Sequence, residues 1–84
     1  MKRIDYPTKG TCSKLIAVEA DDDNRIVGVQ FIGGCHGNTQ GVAALVKGMT
    51  ADEAISRLEG IDCHGKGTSC PDQLAQALKQ LKQQ

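Results

Sequence analysis

Four cysteines are the residues of this 84-residue chain whose side chains carry the most chemistry. They are Cys12, Cys35, Cys63 and Cys70, and no Cys-x-x-Cys pair occurs among them. Thiolates bind zinc in tetrahedral sites, hold iron–sulfur clusters and exchange disulfides. Because the cysteines lie at the ends of predicted strands and helices or in loops, we expect all four to meet at one end of the fold.

Two of the cysteines share a local sequence, since residues 35–37 and 63–65 both read Cys-His-Gly. Either histidine, His36 or His64, is chemically able to replace a cysteine as a zinc ligand. A structural zinc site has four ligands, and the cysteines already supply that number. The other interpretation is therefore that both histidines are solvent-exposed loop residues.

Size and composition favour a metal over disulfides. Residues 1–5 read Met-Lys-Arg-Ile-Asp with no apolar segment behind them, so we expect no secretory signal and a cytoplasmic location, where disulfides are rare. Leu, Ile, Val and Phe account for only 18 of the 84 residues, which is a thin core for a small domain. A structural zinc contributes an apparent ~10–16 kcal/mol, against ~4–8 kcal/mol for two disulfides.

Charge and hydropathy argue against two classes of partner. Ten Lys and Arg residues balance ten Asp and Glu residues, so the charge gives no support to nucleic-acid binding. The longest apolar run, residues 42–46, is far shorter than the ~20 residues of a membrane span, and we expect no membrane association. A protein partner is the remaining expectation.

Alternating apolar residues predict three strands, over residues 3–8, 13–20 and 25–32. The polar run at 21–24 predicts the turn of an antiparallel hairpin between the second and third strands. The apolar face of this hairpin is predicted to contain Ile16, Val18, Ala20, Val27, Val29 and Phe31, with Lys14 heading the row on the second strand.

Three helices are predicted after the strands. The first follows a Gly-rich turn at 33–38 and ends at Gly48. The second begins with a capping box at Thr50 and ends at Gly60, and the third covers residues 71–82. Their inward faces are predicted to contain Val42, Leu45, Val46, Ile55, Leu58, Leu74, Ala77, Leu78 and Leu81.

Residues 68–72 read Thr-Ser-Cys-Pro-Asp and resemble the signature of the TSCPD-domain family. The resemblance extends to Gly-Gly-Cys-His-Gly-Asn at 33–38 and to all four cysteines, and it implies a single TSCPD-like domain over residues 1–84. The same domain occurs at the C-terminal end of some ribonucleotide reductases, notably cobalamin-dependent ones. The resemblance therefore implies an accessory role beside a protein partner such as a ribonucleotide reductase subunit. A ribonucleoside-diphosphate reductase label would not describe a complete enzyme, because 84 residues hold neither a radical cofactor nor a large substrate-binding barrel.

A second resemblance is to the iron–sulfur scaffold proteins of the IscU/NifU type. Cys12 precedes the hairpin, Cys35 ends it and opens a helix rich in small residues, and Cys70 begins the last helix. Residues 47–54, Lys-Gly-Met-Thr-Ala-Asp-Glu-Ala, are similar to the helix junction of these scaffolds. The resemblance implies an α+β fold, in which a small antiparallel sheet of two to three strands is covered on one face by about three helices.

The scaffold proteins complete their site with an aspartate two residues after the first cysteine or with a histidine just before the last. This chain has Lys14 and Ser69 at those positions, and Cys63 offers a fourth thiolate instead. We therefore predict a four-cysteine zinc site, with an iron–sulfur cluster as an alternative. A further alternative is thiol–disulfide exchange between Cys63 and Cys70 during ribonucleotide reduction.

Overall fold

Six regular elements follow one another along the chain, in the predicted order. The computed structural model describes residues 1–11, 13–33, 36–62, 65 and 67–84, and of His36 it describes the backbone only. The elements are β1 (Lys2–Pro7), β2 (Ser13–Ala20), β3 (Ile26–Gly33), α1 (His36–Val46), α2 (Ala51–Leu58) and α3 (Cys70–Leu81).

The three strands form one antiparallel sheet in the order β1-β2-β3. The predicted turn between β2 and β3 is present. The Asp21 carboxylate accepts the backbone N–H groups of Asp23 and Arg25, both at 2.9 Å, and Asn24 adopts a positive φ of 63°. Asp and Asn favour such turns because their short side chains bond to the nearby backbone.

The helices pack on one face of the sheet and enclose an apolar core. α1 lies against β3, α3 lies against β1 and β2, and α2 packs on α3. This arrangement confirms the predicted α+β class, while the likeness to iron–sulfur scaffolds stays a prediction. The core consists of Ile16, Val18, Ala20, Ile26, Val46, Ala51, Ala54, Leu74, Ala77, Leu78 and Leu81.

The predicted apolar row of β3 is wrong at its first position. Ile26 is 1 % exposed and belongs to the core, whereas Val27 is 37 % exposed. The register pairs Glu19 with Gly28 and Ala20 with Ile26, so it passes over Val27. Such a β-bulge adds one residue to a strand and shifts the alternation of its side chains.

The predicted inward face of α1 is too wide. Val46 is buried and Val42 is partly buried, but Leu45 is 73 % exposed. The cause is that the helix meets its neighbours on the Val46 side, whereas Leu45 borders an uncovered apolar groove of about 230 Å³ between α1 and α2.

The remaining helix predictions hold with one adjustment. All four predicted inward residues of α3 are fully buried. In α2, however, Ala51 and Ala54 are fully buried, whereas the predicted Ile55 and Leu58 are only partly buried. The small alanine side chains allow α2 to approach α3 closely, and the larger side chains flank this contact.

Candidate functional site

Cys70 is the candidate ligand that the structure describes, and it lies at the first position of α3. It is a free cysteine and is only 7 % exposed. Its sulfur lies 3.1 Å from the hydroxyl oxygen of Ser13, a hydrogen-bonding distance that joins the start of α3 to the start of β2. The beginning of the third helix is thereby fixed to the sheet.

A second β-bulge places Ser13 at this contact. On β2 the even-numbered residues from Ile16 onward face the core, and continued alternation would direct Lys14 inward as well. Instead the register pairs Ser13 with Gly33 and Leu15 with Ile32, so it passes over Lys14. The prediction that Lys14 heads the inward row is therefore wrong.

The burial of the two residues follows from this bulge. Ser13 is 3 % exposed, whereas Lys14 is exposed to solvent. A bulge re-aims the side chains beside it, and here it directs a short hydroxyl toward Cys70 instead of a long cation.

Two threonines surround the Ser13 contact. The Thr11 hydroxyl lies 3.1 Å from the Ser13 hydroxyl and 3.3 Å from the Ser13 carbonyl oxygen. The Thr8 hydroxyl donates to the same carbonyl. The backbone on one side of position 12 is therefore held by a group of short hydroxyl side chains.

The start of α3 is fixed by residues of its own sequence. The Ser69 hydroxyl accepts the backbone N–H of Asp72 at 3.0 Å, and Pro71 occupies the first turn. A serine cap satisfies one of the otherwise unbonded N–H groups of the helix, and proline has no N–H to leave unbonded there. The position of Cys70 is consequently set by strong local signals on both sides.

The Asp72 carboxylate fastens the start of α3 to the residues around it. It accepts the Gly60 N–H at 2.8 Å and the Thr68 hydroxyl at 2.5 Å, and the Gln76 side chain also bonds to it. Burial alone would raise the pKa of Asp72. The hydrogen bonds from Thr68, Gly60 and Gln76 stabilise the ionised carboxylate and hold its pKa below the usual aspartate value.

The Gln73 side chain ties the loop before β2 to the same place. Its oxygen accepts the Lys9 N–H at 3.1 Å, and its nitrogen donates to the Thr68 hydroxyl at 3.0 Å. Gly10 is required beside them, because its φ is +74° and an added Cβ would lie 2.9 Å from the Thr68 methyl carbon. Residues 9–11 and 68–73 therefore meet at one place.

These residues form one polar cluster. Its members are Thr8, Lys9, Gly10, Thr11, Ser13, Gly60, Thr68, Ser69, Cys70, Asp72 and Gln73.

The other predicted ligands lie outside the described residues. These are Cys12, Cys35, Cys63, His64 and the side chain of His36. Within the described ranges, no three His, Cys, Asp or Glu side chains are grouped so as to hold a metal ion. Beside position 63, the Asp62 carboxylate accepts the N–H groups of Gly65 at 2.7 Å and Gly67 at 2.5 Å.

A comparison of the sequence with models of protein families identifies the family of this chain. The family model described as the TSCPD domain matches residues 1–82. The chain belongs to the TSCPD-domain family. No curated protein and no solved structure matches it at a significant level. The TSCPD domain is a small domain related to regions of ribonucleotide reductases. In the part of the chain that the structure describes, no helix is long and apolar enough to cross a membrane.

The TSCPD signature has a structural explanation in this domain. Thr68 links Asp72 to Gln73, Ser69 caps the helix, Pro71 occupies its first turn and Asp72 binds the Gly60 N–H. Four of the five signature residues therefore build the helix start on which Cys70 lies.

Sequence reasoning missed the partners of this signature. Ser13 is hidden because a bulge breaks the alternation by which its strand is recognised, and Gln73 lies on the polar side of a helix, where helical spacing does not reveal a partner. Gly10 carried a usable signal, since a glycine just before a cysteine-containing turn often marks a positive φ or a close approach.

Proposed function

We propose that this TSCPD domain is a metal-binding module in which the thiolates of Cys12, Cys35, Cys63 and Cys70 ligate one zinc ion. The single observation that carries the proposal is the burial of Cys70 against Ser13, the chain neighbour of Cys12. The domain would act as an accessory or interaction module rather than as a complete enzyme.

Chain connectivity supports a common location for three of the four thiols. Ser13 directly follows Cys12, and its hydroxyl contacts the Cys70 sulfur. Ser13 also lies opposite Gly33 in the pairing of β2 with β3, and Gly33 precedes Cys35 by two residues. Three segments that each carry or adjoin a cysteine therefore converge on Ser13.

The segment around the fourth cysteine is tied to the same region at both of its ends. Before Cys63, Gly60 donates its N–H to the Asp72 carboxylate. After Cys63, Thr68 packs against Gly10, two residues before Cys12. Gly60 and Thr68, which stand on either side of position 63 in the chain, are therefore both held at the polar cluster.

The apolar core supplies a reason for a metal. Four of its eleven members are alanines, so little large apolar surface is buried for a domain of this size. Small domains with thin cores are commonly stabilised by a structural metal, which is bound only in the folded state. Zinc with four thiolates is a closed site of this kind, and His36 or His64 is an alternate ligand.

The burial of Cys70 bears on the alternatives. Thiol–disulfide exchange with Cys63 requires that an attacking thiolate reach one of the two sulfurs. A cysteine that is 7 % exposed and whose sulfur contacts a hydroxyl is better suited to ligation than to exchange. An iron–sulfur cluster would use the same four thiolates and is the alternative that metal analysis distinguishes.

The family supports the choice of partner. Because the same domain forms the C-terminal part of some ribonucleotide reductases, we propose a ribonucleotide reductase subunit as the protein partner. The balanced charge gives no support to a nucleic acid. Four reduced thiolates also suit the cytoplasm, where thiols are kept reduced.

The test is the metal content of the full chain, purified without chelator and without a metal-binding tag under reducing conditions. We expect about one zinc per chain, and loss of that zinc together with unfolding in each of the four Cys→Ser variants. Ser56→Ala, a change at an exposed position of α2, is the control and should keep its zinc. Stoichiometric iron with visible absorption would favour the cluster instead. An intact fold with no metal and four titratable thiols would overturn the proposal.

A further inference from the structure

We infer that Ser13 is a positioning residue of the metal site, whose hydroxyl donates a hydrogen bond to the Cys70 sulfur and strengthens metal retention. The inference rests on the proposed function, because it assigns Ser13 a role toward a metal that Cys70 would ligate. It goes beyond that function by naming a residue outside the ligand set.

The contact between the two side chains is sheltered from water. The hydroxyl oxygen and the sulfur are 3.1 Å apart, and the two residues are 3 % and 7 % exposed. Hydrogen bonds in such surroundings are stronger than in water, and losing one partner leaves the other unsatisfied.

The chemistry of a ligating sulfur fixes the direction of this bond. In the free thiol either Ser13 or Cys70 could be the donor. A metal-bound cysteine is a thiolate, which has lost its proton and can only accept. The Ser13 hydroxyl must then donate to the sulfur.

The neighbouring threonines are placed to support that direction. Once the Ser13 proton points at the sulfur, the Ser13 oxygen can accept the proton of the Thr11 hydroxyl, which lies 3.1 Å away. Thr8 already donates to the Ser13 carbonyl and holds its backbone. When the Thr11 hydroxyl gives its one proton to the Ser13 hydroxyl and not to the Ser13 carbonyl, a chain of donors runs from Thr11 through Ser13 to Cys70, and such chains polarise one another.

The bulge at Lys14 is the feature that makes this contact possible. Without it, the alternation of β2 would bring position 14 inward and turn Ser13 to the open face of the sheet. The bulge interrupts the hydrogen-bond ladder at this point, and bulges occur preferentially beside functional sites. The regular pairing of β2 with β3 is thus interrupted beside Ser13, the residue whose hydroxyl reaches the Cys70 sulfur.

The test compares zinc affinity of the full-length wild type and Ser13→Ala, by competition with a chromophoric zinc chelator. Removing a group that orients a metal ligand typically weakens binding about 10- to 100-fold, and we expect a loss of about 10-fold. With cobalt in place of zinc, we also expect the sulfur-to-cobalt charge-transfer band to shift, which a purely structural role for Ser13 would not cause. Ser56→Ala is the matched control and should change neither, and Ser13→Thr should restore part of the affinity.

The outcomes separate this inference from the proposed function. If the wild type binds no metal, both fail. If the wild type binds zinc and Ser13→Ala binds it equally well with an unshifted cobalt band, only the inference is wrong. Should Ser13→Ala not fold, Thr11→Val carries the test, because it removes the donor behind Ser13. A smaller shift in the same direction supports the inference, and no shift contradicts it.

Discussion

The apolar core and the polar cluster are stabilised by different interactions, although α3 contributes to both. In the core, Leu74, Leu78 and Leu81 are fully buried against the sheet and α2. In the polar cluster, the same helix begins with Cys70 and Asp72, which are nearly as buried but contact hydroxyl and N–H groups. One end of α3 is held by non-directional burial and the other by directed hydrogen bonds.

This difference separates stability from positioning. Burial of apolar surface depends on area and tolerates exchanges of shape between similar side chains. A hydrogen bond depends on the placement of two atoms, and a buried polar group without its partner is destabilising. The core therefore contributes stability in proportion to the apolar area it buries, whereas the polar cluster determines where the Cys70 sulfur lies.

The largest effect is expected in the core. Leu78→Ala removes a fully buried side chain and leaves a cavity in the apolar core, so we expect the free energy of unfolding to fall by about 2–5 kcal/mol. Denaturant titration of the zinc-loaded chain measures it. Leu45→Ala is the matched control, because Leu45 is 73 % exposed and its loss should cost less than about 0.5 kcal/mol.

The comparison would break if the two leucine variants were equally destabilised, since stability would then not follow burial in the core. It would also break if Leu78→Ala lowered zinc affinity as strongly as Ser13→Ala does, since the core would then position the site as well.

The core could be predicted from the sequence more fully than the polar cluster. The spacing of Leu74, Leu78 and Leu81 reports one face of a helix, and the helical period alone carries that information. The caps at Thr50 and Ser69 are local as well, and the cap predicted at Thr50 is present. Elements whose signals lie within one turn or one strand were thus accessible from the residues.

The predictions that were wrong, and the residues that were missed, depend on contacts between two segments of the chain. The bulges at Lys14 and Val27 are properties of a strand pair, and no single strand reveals them. The bond from Gln73 to Lys9 joins residues far apart in the chain, so helical spacing gives Gln73 only as a polar position. The candidate site depends on such pairs, which is why the cysteines could be proposed as ligands but Ser13 could not be found beside them.

An intermediate effect, dependent on pH, is expected in the polar cluster. Asp72→Asn removes the charged acceptor of the Gly60 and Thr68 donors, and hydrogen bonds to a buried charge are worth about 1.5–3 kcal/mol. We expect a loss of that order at neutral pH in denaturant titrations. Because the pKa of Asp72 is lowered in the folded state, this stabilisation is fully present above the unfolded value of about 3.9 and is lost as the pH falls through the folded value.

The free-energy difference between the wild type and Asp72→Asn should therefore shrink as the pH is lowered below about 4. Asp23→Asn, at the exposed turn between β2 and β3, removes the same charge and corrects for the change in net charge. A difference between wild type and Asp72→Asn that stays constant down to acid pH would show that the carboxylate acts by shape and not by charge.

The smallest effects are expected from the two helix caps, one beside the apolar core and one within the polar cluster. Thr50 caps α2 beside the core, and Ser69 caps α3 within the polar cluster. Each cap accepts one N–H, and replacing such a residue by alanine typically costs about 1 kcal/mol. We expect Thr50→Ala to lower the free energy of unfolding by about that amount without changing zinc affinity.

Ser69→Ala leaves a buried N–H unbonded next to Cys70, so it should lower the free energy of unfolding somewhat more and also weaken zinc binding. Equal zinc affinities in the two variants, measured by the same chelator competition, would mean that the start of α3 holds Cys70 in place without its cap.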